Sequence, residues 1–467
     1  MGVVSRVQAD SLAERLNVLC HASNDPLDKM LKLRQILEQL YKHATEGYNT
    51  SFSNLFARMQ YANETCSLSK DLQNQSNSLR RYCNQIAHEE VKDSKQEDFD
   101  TYANTVYKLI SHFCPQFSYP SLVDYFQDKT FKVFTPTKDS EKLSFTAIVS
   151  SWQVSDASLT MLVTRDDGKE CNILLRNDSK QSNQDGKLFT QLSKSLWRYA
   201  CIHFHELSVV EGRDCYFQSN PKTLVVLEPD FLVDATAIAE CFENQSSNPA
   251  YFLLNKLCSE PFTEPILQGS VVNSILDELV FNPELPYQEL FRRSLAAQPI
   301  TFVSQGLQSA MNIYNRVQSD HLPQLTNYLA TIKDEDVLLE PSYLCPEYGL
   351  QGRIDMLVNK DSKHSVIELK SGKAPAFDVW QSHRMQTVAY NMIIRSVYGA
   401  DNISFASILY SQSKDNPVRN IPNSTILEQN LLMCRNRIIG IMHQLSIDPN
   451  PIISWLLETT LDRKSVV

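Results

Sequence analysis

The chain has 467 residues, a formal net charge of −10 at neutral pH and a hydrophobic content of 42%. This length predicts about two to four domains with real cores, and the acidic balance excludes a uniformly basic nucleic-acid-binding protein, although a local basic groove is compatible with it. The sequence has no long apolar run and no apolar signal core at its N-terminus, so we expect a cytoplasmic protein without a membrane span.

Residues 1–119 are predicted to form a helical bundle, because Leu33, Leu37 and Leu40 recur at helical spacing. Within the run LRRYCNQIAHE, Arg81 and His88 are spaced in a way that resembles the HEPN helical domain motif. Active HEPN ribonucleases use an arginine and a histidine to cleave RNA without metal, so the resemblance makes Arg81 and His88 candidate site residues.

The alternative interpretation of this run is structural. Cys83 stands where the HEPN motif usually has an arginine. We therefore favour a role for Arg81, Asn84 and His88 in stabilising a helix pair or a homodimer formed through the N-terminal helices.

Residues 120–230 are predicted to be β-rich. Phe145, Ala147 and Val149 alternate with other residues as in a strand. The sequence Asp-Asp-Gly-Lys at 166–169 is a good hairpin turn, with its second strand at Cys171–Leu175.

Residues 231–461 are predicted to form an α/β domain that carries the chemistry. Alternation over Arg353–Asn359 and again over Ser365–Lys370 predicts two strands, joined by a polar turn. Pairing these strands brings Asp355 beside Glu368 and Lys370. Two carboxylates can hold a divalent cation, and a neighbouring lysine can orient water or stabilise developing negative charge.

Two observations limit that interpretation. A second Glu-x-Lys occurs at Glu90–Lys92, in a region predicted to be helical, so the tripeptide also arises by chance. His383, Gln386 and Tyr390 lie on one face of a helix predicted over Val379–Tyr398, and a polar face on a surface helix is the simpler explanation.

Four motifs nevertheless occur in a characteristic order: Gly269-x-x-x-Asn273, GLQGRID at 349–355, ELKSGK at 368–373, and His383-x-x-Gln386-x-x-x-Tyr390. This order resembles the RecB-type branch of the PD-(D/E)XK nucleases, with its strongest likeness to the nuclease region of the flap-processing helicase–nucleases of DNA replication. The likeness covers about Leu224 to Ile441 and implies a restriction-endonuclease-like fold.

By this resemblance, Asp355 and Glu368 would bind Mg²⁺ or Mn²⁺, helped by the carbonyl of Leu369. Lys370 would be the catalytic lysine.

The resemblance also implies that Gln386 and Tyr390 position the active site and DNA. Arg353 and His383, inside the same motifs, are further candidates. Asn273 stands where the family usually has a metal-binding histidine, and its amide oxygen would be a weaker ligand.

Some relatives also carry an iron–sulfur cluster, a preceding oligonucleotide-binding (OB) barrel or a following helicase. Cys434 is the only cysteine after Lys370, so a cluster is not supported. The barrel makes OB-like our expected fold for residues 120–230. Residues 462–467 (DRKSVV) look like a non-native tail, from which we expect that the natural gene continues into a helicase region.

The sequence thus predicts a multidomain α+β protein that is a metal-dependent DNA nuclease directed to single strands or flaps. We expect it to be the nuclease part of a bacterial helicase–nuclease in DNA replication, repair or phage defence. The alternatives are a metal-independent HEPN ribonuclease and a non-catalytic nucleic-acid-binding module.

Overall fold

A computed structural model describes residues 3–47, 52–131, 143–177, 188–243, 246–258 and 263–463. The end of the predicted non-native tail, residues 464–467, lies outside this description. The chain divides into two compact units, one formed by residues up to 177 together with 189–223, and the other mainly by residues from 224 onward. The three-domain division with boundaries at 119 and 230 stays a prediction.

The first unit begins with helices whose starts are set by side-chain caps. Ser5 and Gln8 form a reciprocal capping box on the first helix, and Asp25 caps the second ahead of a proline at its first position. Buried aromatic rings, among them Tyr41 and Phe113, fill the core between these helices. The helices are α1 (Arg6–His21), α2 (Pro26–Ala44), α3 (Leu55–Thr65), α4 (Lys70–Ala87), α5 (Gln96–Phe113) and α6 (Pro120–Gln127).

The β-rich part of the same unit contains the predicted hairpin. Its two long strands pair antiparallel across the turn at residues 166–169, where Gly168 has a φ of +86° that favours glycine. Six strands lie in the order β5-β6-β3-β2-β1-β4. The elements are β1 (Phe145–Val154), β2 (Ser158–Arg165), β3 (Glu170–Arg176), α7 (Leu188–Leu192), β4 (Cys201–His205), β5 (Ser208–Val209) and β6 (Tyr216–Gln218).

The HEPN-like run lies on α4 and contacts the hairpin turn. Arg80 Nη2 lies 2.5 Å from Asp166 Oδ1, and Arg81 Nε lies 3.5 Å from Asp166 Oδ2. His88 is exposed at the C-cap of the helix. Arg81 thus contacts the hairpin turn, and its expected role in a helix pair or a homodimer stays a prediction.

The second unit combines a run of helices with a run of strands and ends in two helices. Its elements are β7 (Leu224–Leu227), β8 (Val233–Asp234), α8 (Ala235–Ala239), β9 (Phe242–Glu243), β10 (Ser246–Ser247), α9 (Ala250–Leu257), α10 (Glu264–Phe281), α11 (Tyr287–Ala297), α12 (Pro299–Gln305), α13 (Leu307–Arg316), a π-helical turn (Val317–His321), α14 (Leu322–Thr331), β11 (Asp336–Leu339), β12 (Ser342–Cys345), β13 (Leu350–Arg353), β14 (Met356–Lys360), β15 (Lys363–Lys370), α15 (Gln381–Tyr398), β16 (Ile403–Tyr410), β17 (Val418–Ile421), α16 (Thr425–Ile447) and α17 (Asn450–Arg463).

A five-stranded sheet in the order β11-β14-β15-β16-β17 is the centre of this unit. One of its faces packs on α10, α11, α13 and α14 through residues that include Met356, Ile367 and Leu369. Helix α15 also contacts β15 and β16. The predicted alternation of β15 is confirmed, because Ile367 and Leu369 share the core while Glu368 and Lys370 bond to each other.

The predicted continuous strand over Arg353–Asn359 is wrong. The chain leaves β13 at Arg353 and enters β14 at Met356, and the two strands belong to different sheets. Ile354 and Asp355 bridge the gap, with the Ile354 N–H donating to Pro341 O and the Asp355 carbonyl accepting from Glu340 N. This break frees the Asp355 side chain to turn toward β15.

Candidate active site

The end of β15 and the entry to β14 bring the two predicted carboxylates together. The Leu369 N–H donates to Asp355 Oδ2 at 2.7 Å, which places the Asp355 carboxylate beside the backbone that carries Glu368. Lys370 Nζ donates to Glu368 Oε1 at 2.8 Å. Asp355, Glu368 and Lys370 therefore form one constellation, as the sequence predicts.

Helix α15 completes this constellation from above the sheet. Lys370 Nζ also donates to Gln386 Oε1 at 2.8 Å, and Gln386 Nε2 donates to Tyr390 Oη at 3.1 Å. The same Nε2 atom donates to Thr236 Oγ1 at 3.1 Å. Gln386 thus links the lysine to the tyrosine one helical turn further on, and both polar side chains are buried rather than part of a surface face.

Burial makes the carboxyl groups resist ionisation. Glu368 is 2% exposed. Burial, followed by the charge of Asp355, raises the pKa of Glu368 to about 8, and burial also raises the pKa of Asp355. The ammonium of Lys370 acts in the opposite direction on both groups. The site consequently favours additional positive charge between these oxygens.

Two further acidic residues near Asp355 were missed by sequence reasoning. Burial, then the charges of Glu340 and Asp355, raise the pKa of Asp277 on α10 to about 6. Asp277 lies one turn after Asn273 on the same helix, a spacing that could have identified it. Glu340 lies in the segment between β11 and β12, and no local pattern marks it.

The other residues predicted from the nuclease motifs, Asn273, Arg353 and His383, lie on neighbouring elements rather than within the Asp355–Glu368–Lys370 constellation. Asn273 is half-buried on α10. Arg353 is exposed at the end of β13 and pairs with Glu340 at 3.1 Å. His383 Nδ1 lies 3.0 Å from Tyr410 Oη, and burial, followed by the charge of Lys370, lowers the pKa of His383 to about 4. Both effects favour the neutral form of the His383 ring.

A buried chain of polar groups supports the backbone of Lys370. Gln268 Nε2 lies 3.1 Å from His321 Nε2, and His321 Nδ1 lies 2.8 Å from Ser411 Oγ. The Ser411 hydroxyl donates to the Lys370 carbonyl at 3.3 Å. His321 ends a π-helical turn, and the polar chain that runs through it fixes the end of β15 by the bond from Ser411 to the Lys370 carbonyl.

Residues 250–438 match the family model of the PD-(D/E)XK nuclease superfamily. They form a PD-(D/E)XK nuclease superfamily domain. The matched segment contains Asp355, Glu368, Lys370, Gln386 and Tyr390. No match to the chain is found among curated proteins. Membership of the superfamily implies a metal-dependent nuclease activity for this domain.

The PD-(D/E)XK domain offers a site that fits Mg²⁺ or Mn²⁺. Glu368 Oε2 is buried without a hydrogen-bond partner among the described residues, and Asp355 supplies a second hard oxygen ligand nearby. No group of three or more His, Cys, Asp or Glu side chains in the described ranges is arranged to hold a metal. Mg²⁺ needs only one or two carboxylates because it keeps several waters, so the pair suffices.

An iron–sulfur cluster remains unsupported. Cys434 lies within hydrogen-bonding reach of Cys241, and both thiols are buried. Two thiols are half the set that such a cluster requires.

Within the described ranges, every helix falls short of the length and apolarity that crossing a membrane requires.

Replacing Gly352 by alanine is expected to reduce cleavage and to destabilise the domain by about 1–3 kcal/mol. A Cβ at Gly352 would lie 2.6 Å from Tyr390 Cε1, so the ring and its bond to Gln386 must shift. Thermal melts and cleavage rates of the variant measure both effects. Gly372→Ala is the control for stability, because its Cβ would meet nothing within 4 Å; equal melting points for the two variants would contradict the clash.

Proposed function

We propose that this chain is a Mg²⁺- or Mn²⁺-dependent DNA nuclease that hydrolyses phosphodiester bonds at the Asp355–Glu368–Lys370 constellation. The observation that carries the proposal is the pair of bonds from Lys370 Nζ to Glu368 Oε1 and Gln386 Oε1, both at 2.8 Å, beside the orphaned Glu368 Oε2. A lysine fixed between a carboxylate and an amide is placed to act on a phosphate rather than to move in solvent.

The residues that would hold the cation are Asp355 and Glu368, with the Leu369 carbonyl and Asn273 as further oxygen donors. When bound there, the cation supplies a more acidic water and neutralises charge on the phosphate. Asp277 adds negative charge on the side of α10 and strengthens the preference of the site for a cation.

Lys370 has a distinct task in this proposal. Its ammonium has three N–H donors, of which two are used by Glu368 and Gln386. The third can orient the attacking water or stabilise charge that develops on the phosphate oxygens. Gln386 fixes the lysine, and Tyr390 fixes Gln386 through its hydroxyl.

The finer parts of the proposal rest on the resemblance of the motifs. We infer a preference for single-stranded or flapped DNA, and a role as the nuclease part of a bacterial helicase–nuclease in replication, repair or phage defence. A helicase region encoded after this chain and a homodimer through the N-terminal helices belong to the same set of proposals.

The decisive test is cleavage of labelled single-stranded, flapped and duplex DNA in Mg²⁺, Mn²⁺ or EDTA, with an RNA strand in parallel. We expect DNA cleavage with either metal and none in EDTA, because the carboxylates need a cation to act on a phosphate. RNA cleavage in EDTA that His88→Ala abolishes would instead assign the activity to the HEPN-like run. Metal binding without any cleavage would leave only a nucleic-acid-binding role.

A further inference from the structure

The loop of residues 371–380 joins the two elements that carry the candidate active site. It leaves β15 directly after Lys370 and ends at Trp380, the N-cap of α15, which carries Gln386. A cavity of about 1010 Å³ lies along this loop, and Lys373, Phe377 and Lys414 are among the residues that line it. The cavity thus begins three residues beyond the candidate catalytic lysine.

The loop is held in place at several points. The Trp380 indole N–H donates to Lys373 O at 3.1 Å, and the Ala374 N–H donates to Ser413 Oγ at 3.1 Å. Near its end, Arg419 Nη1 donates to the Asp378 carbonyl, and Arg384 pairs with the Asp378 carboxylate. A loop with this many restraints has a defined conformation.

Phe377 is exposed despite these restraints. Its side chain is 90% accessible, the highest value among the large apolar side chains of the described residues. The next residue, Asp378, has a φ of +64°, a left-handed conformation that aspartate adopts more readily than most non-glycine residues. The ring therefore stays exposed at the cavity although the loop around it is restrained.

The cavity carries cationic groups that a phosphate backbone can contact. Its charged lining consists of three cations, Lys373, Lys414 and Arg419, and three anions, Asp320, Asp378 and Asp415. Lys414 lies 3.9 Å from Asp320, and Arg384, which does not line the cavity, pairs with Asp378. Three cations thus lie around an exposed aromatic ring, inside a chain that is acidic overall.

We propose that this groove, defined as the cavity between residues 373–379 and 412–420, binds a single strand of nucleic acid next to the scissile phosphate, with an unpaired base stacked on Phe377. The inference rests on the proposed nuclease function. It concerns the part of the DNA strand beside the scissile phosphate, which the candidate active site does not contact. Aromatic rings beside cations are the recurrent means of holding single strands, and bases in a duplex are not available for such stacking.

The reach of the chain agrees with this arrangement. Lys373 is three positions after Lys370 in the chain and Phe377 is seven positions after it, which limits their Cα separations from Lys370 to about 11 Å and about 25 Å. At about 3.4 Å per nucleotide of a stacked strand, the groove would meet a strand at most about seven nucleotides from the site of cleavage.

The test is the binding of a fluorescent single strand of about 16 nucleotides, measured by anisotropy in EDTA so that no metal-dependent cleavage occurs. We expect Phe377→Ala to weaken binding about five- to 150-fold, because a base–aromatic stack contributes that factor. Phe377→Tyr should retain most of the affinity. Ile300→Ala is the matched control, since Ile300 is 84% exposed on α12 and does not line the groove.

Several outcomes would overturn the inference. They are parental single-strand affinity in Phe377→Ala, an equal loss with duplex DNA, and no single-strand binding by the parent. An RNA strand of the same sequence distinguishes a DNA groove from one for RNA. Lys370-dependent cleavage by the parent together with an unaffected Phe377→Ala would remove the groove but leave the nuclease. Phe377-dependent binding of the single strand without cleavage in any metal would instead support the groove and refute the nuclease function.

Discussion

Lys370→Ala is expected to lower the single-turnover rate of DNA cleavage about 100- to 1,000-fold in Mn²⁺. The ammonium is held by Glu368 and Gln386, both at 2.8 Å, so its charge is already placed before substrate binds. Alanine removes that charge and leaves water in its place. Single-turnover measurement with excess enzyme separates the chemical step from product release.

The same variant should bind Mn²⁺ at least as tightly as the parent. Lys370 competes with a cation for Glu368, because its charge already lowers the pKa of that carboxyl against the effect of burial. Calorimetric titration measures this affinity without turnover. Lost cleavage with retained metal binding would identify Lys370 as a catalytic residue, whereas lost metal binding would point to collapse of the site.

Lys363→Ala is the matched control for this experiment. Lys363 is the first residue of the same strand, is exposed, and pairs across the turn with Lys360 at the far end from the site. Its removal changes the net charge of the strand by the same amount, and we expect parental cleavage. Parental cleavage in Lys370→Ala as well would refute the proposed mechanism.

Some of the site could be predicted because its residues are joined by local periodicity. Glu368 and Lys370 are two apart in a strand, which fixes them on one face. Gln386 and Tyr390 are four apart in a helix, which places their side chains within hydrogen-bonding distance. Such relations need no knowledge of the rest of the fold.

Other parts depend on contacts between distant segments and left no local signal. Asp355 was expected inside a strand, but the long-range bond from Leu369 N holds its side chain in a gap between two sheets. Thr236 joins the site through Gln386, 150 positions away. The resemblance identified where Asp355 belongs, while only the structure shows how it is held.

Arg435→Ala is expected to destabilise the second unit by more than about 4 kcal/mol. Arg435 is completely buried in α16, and burial lowers the pKa of its guanidinium to about 9. The group donates to the carbonyls of Gly349, Leu227, Glu228 and Phe231. Alanine would leave these oxygens unsatisfied around a cavity, which removes much of a typical stability of about 5–15 kcal/mol.

The contacts of Arg435 also predict which segments Arg435→Ala destabilises first. Gly349 has a φ of +63°, and a Cβ there would lie 2.2 Å from Arg435 Nη2, so glycine and arginine fit each other. Hydrogen exchange should therefore increase first in the peptides around residues 225–231 and 349–353. Those segments lead into α8 and into Asp355, so loss of Arg435 should impair the candidate site through its support.

Arg437→Ala tests whether the effect belongs to the buried guanidinium or to any arginine in this helix. Arg437 is half-buried and its Nη1 donates to one carbonyl, that of Ser247, at 3.3 Å, so its removal should change stability by no more than about 1 kcal/mol. Equal denaturation midpoints for the two variants would refute the structural role of Arg435. A large difference would show that Arg435, Gly349 and the segment of residues 227–231 form one folding element, joined by the carbonyls that the guanidinium binds.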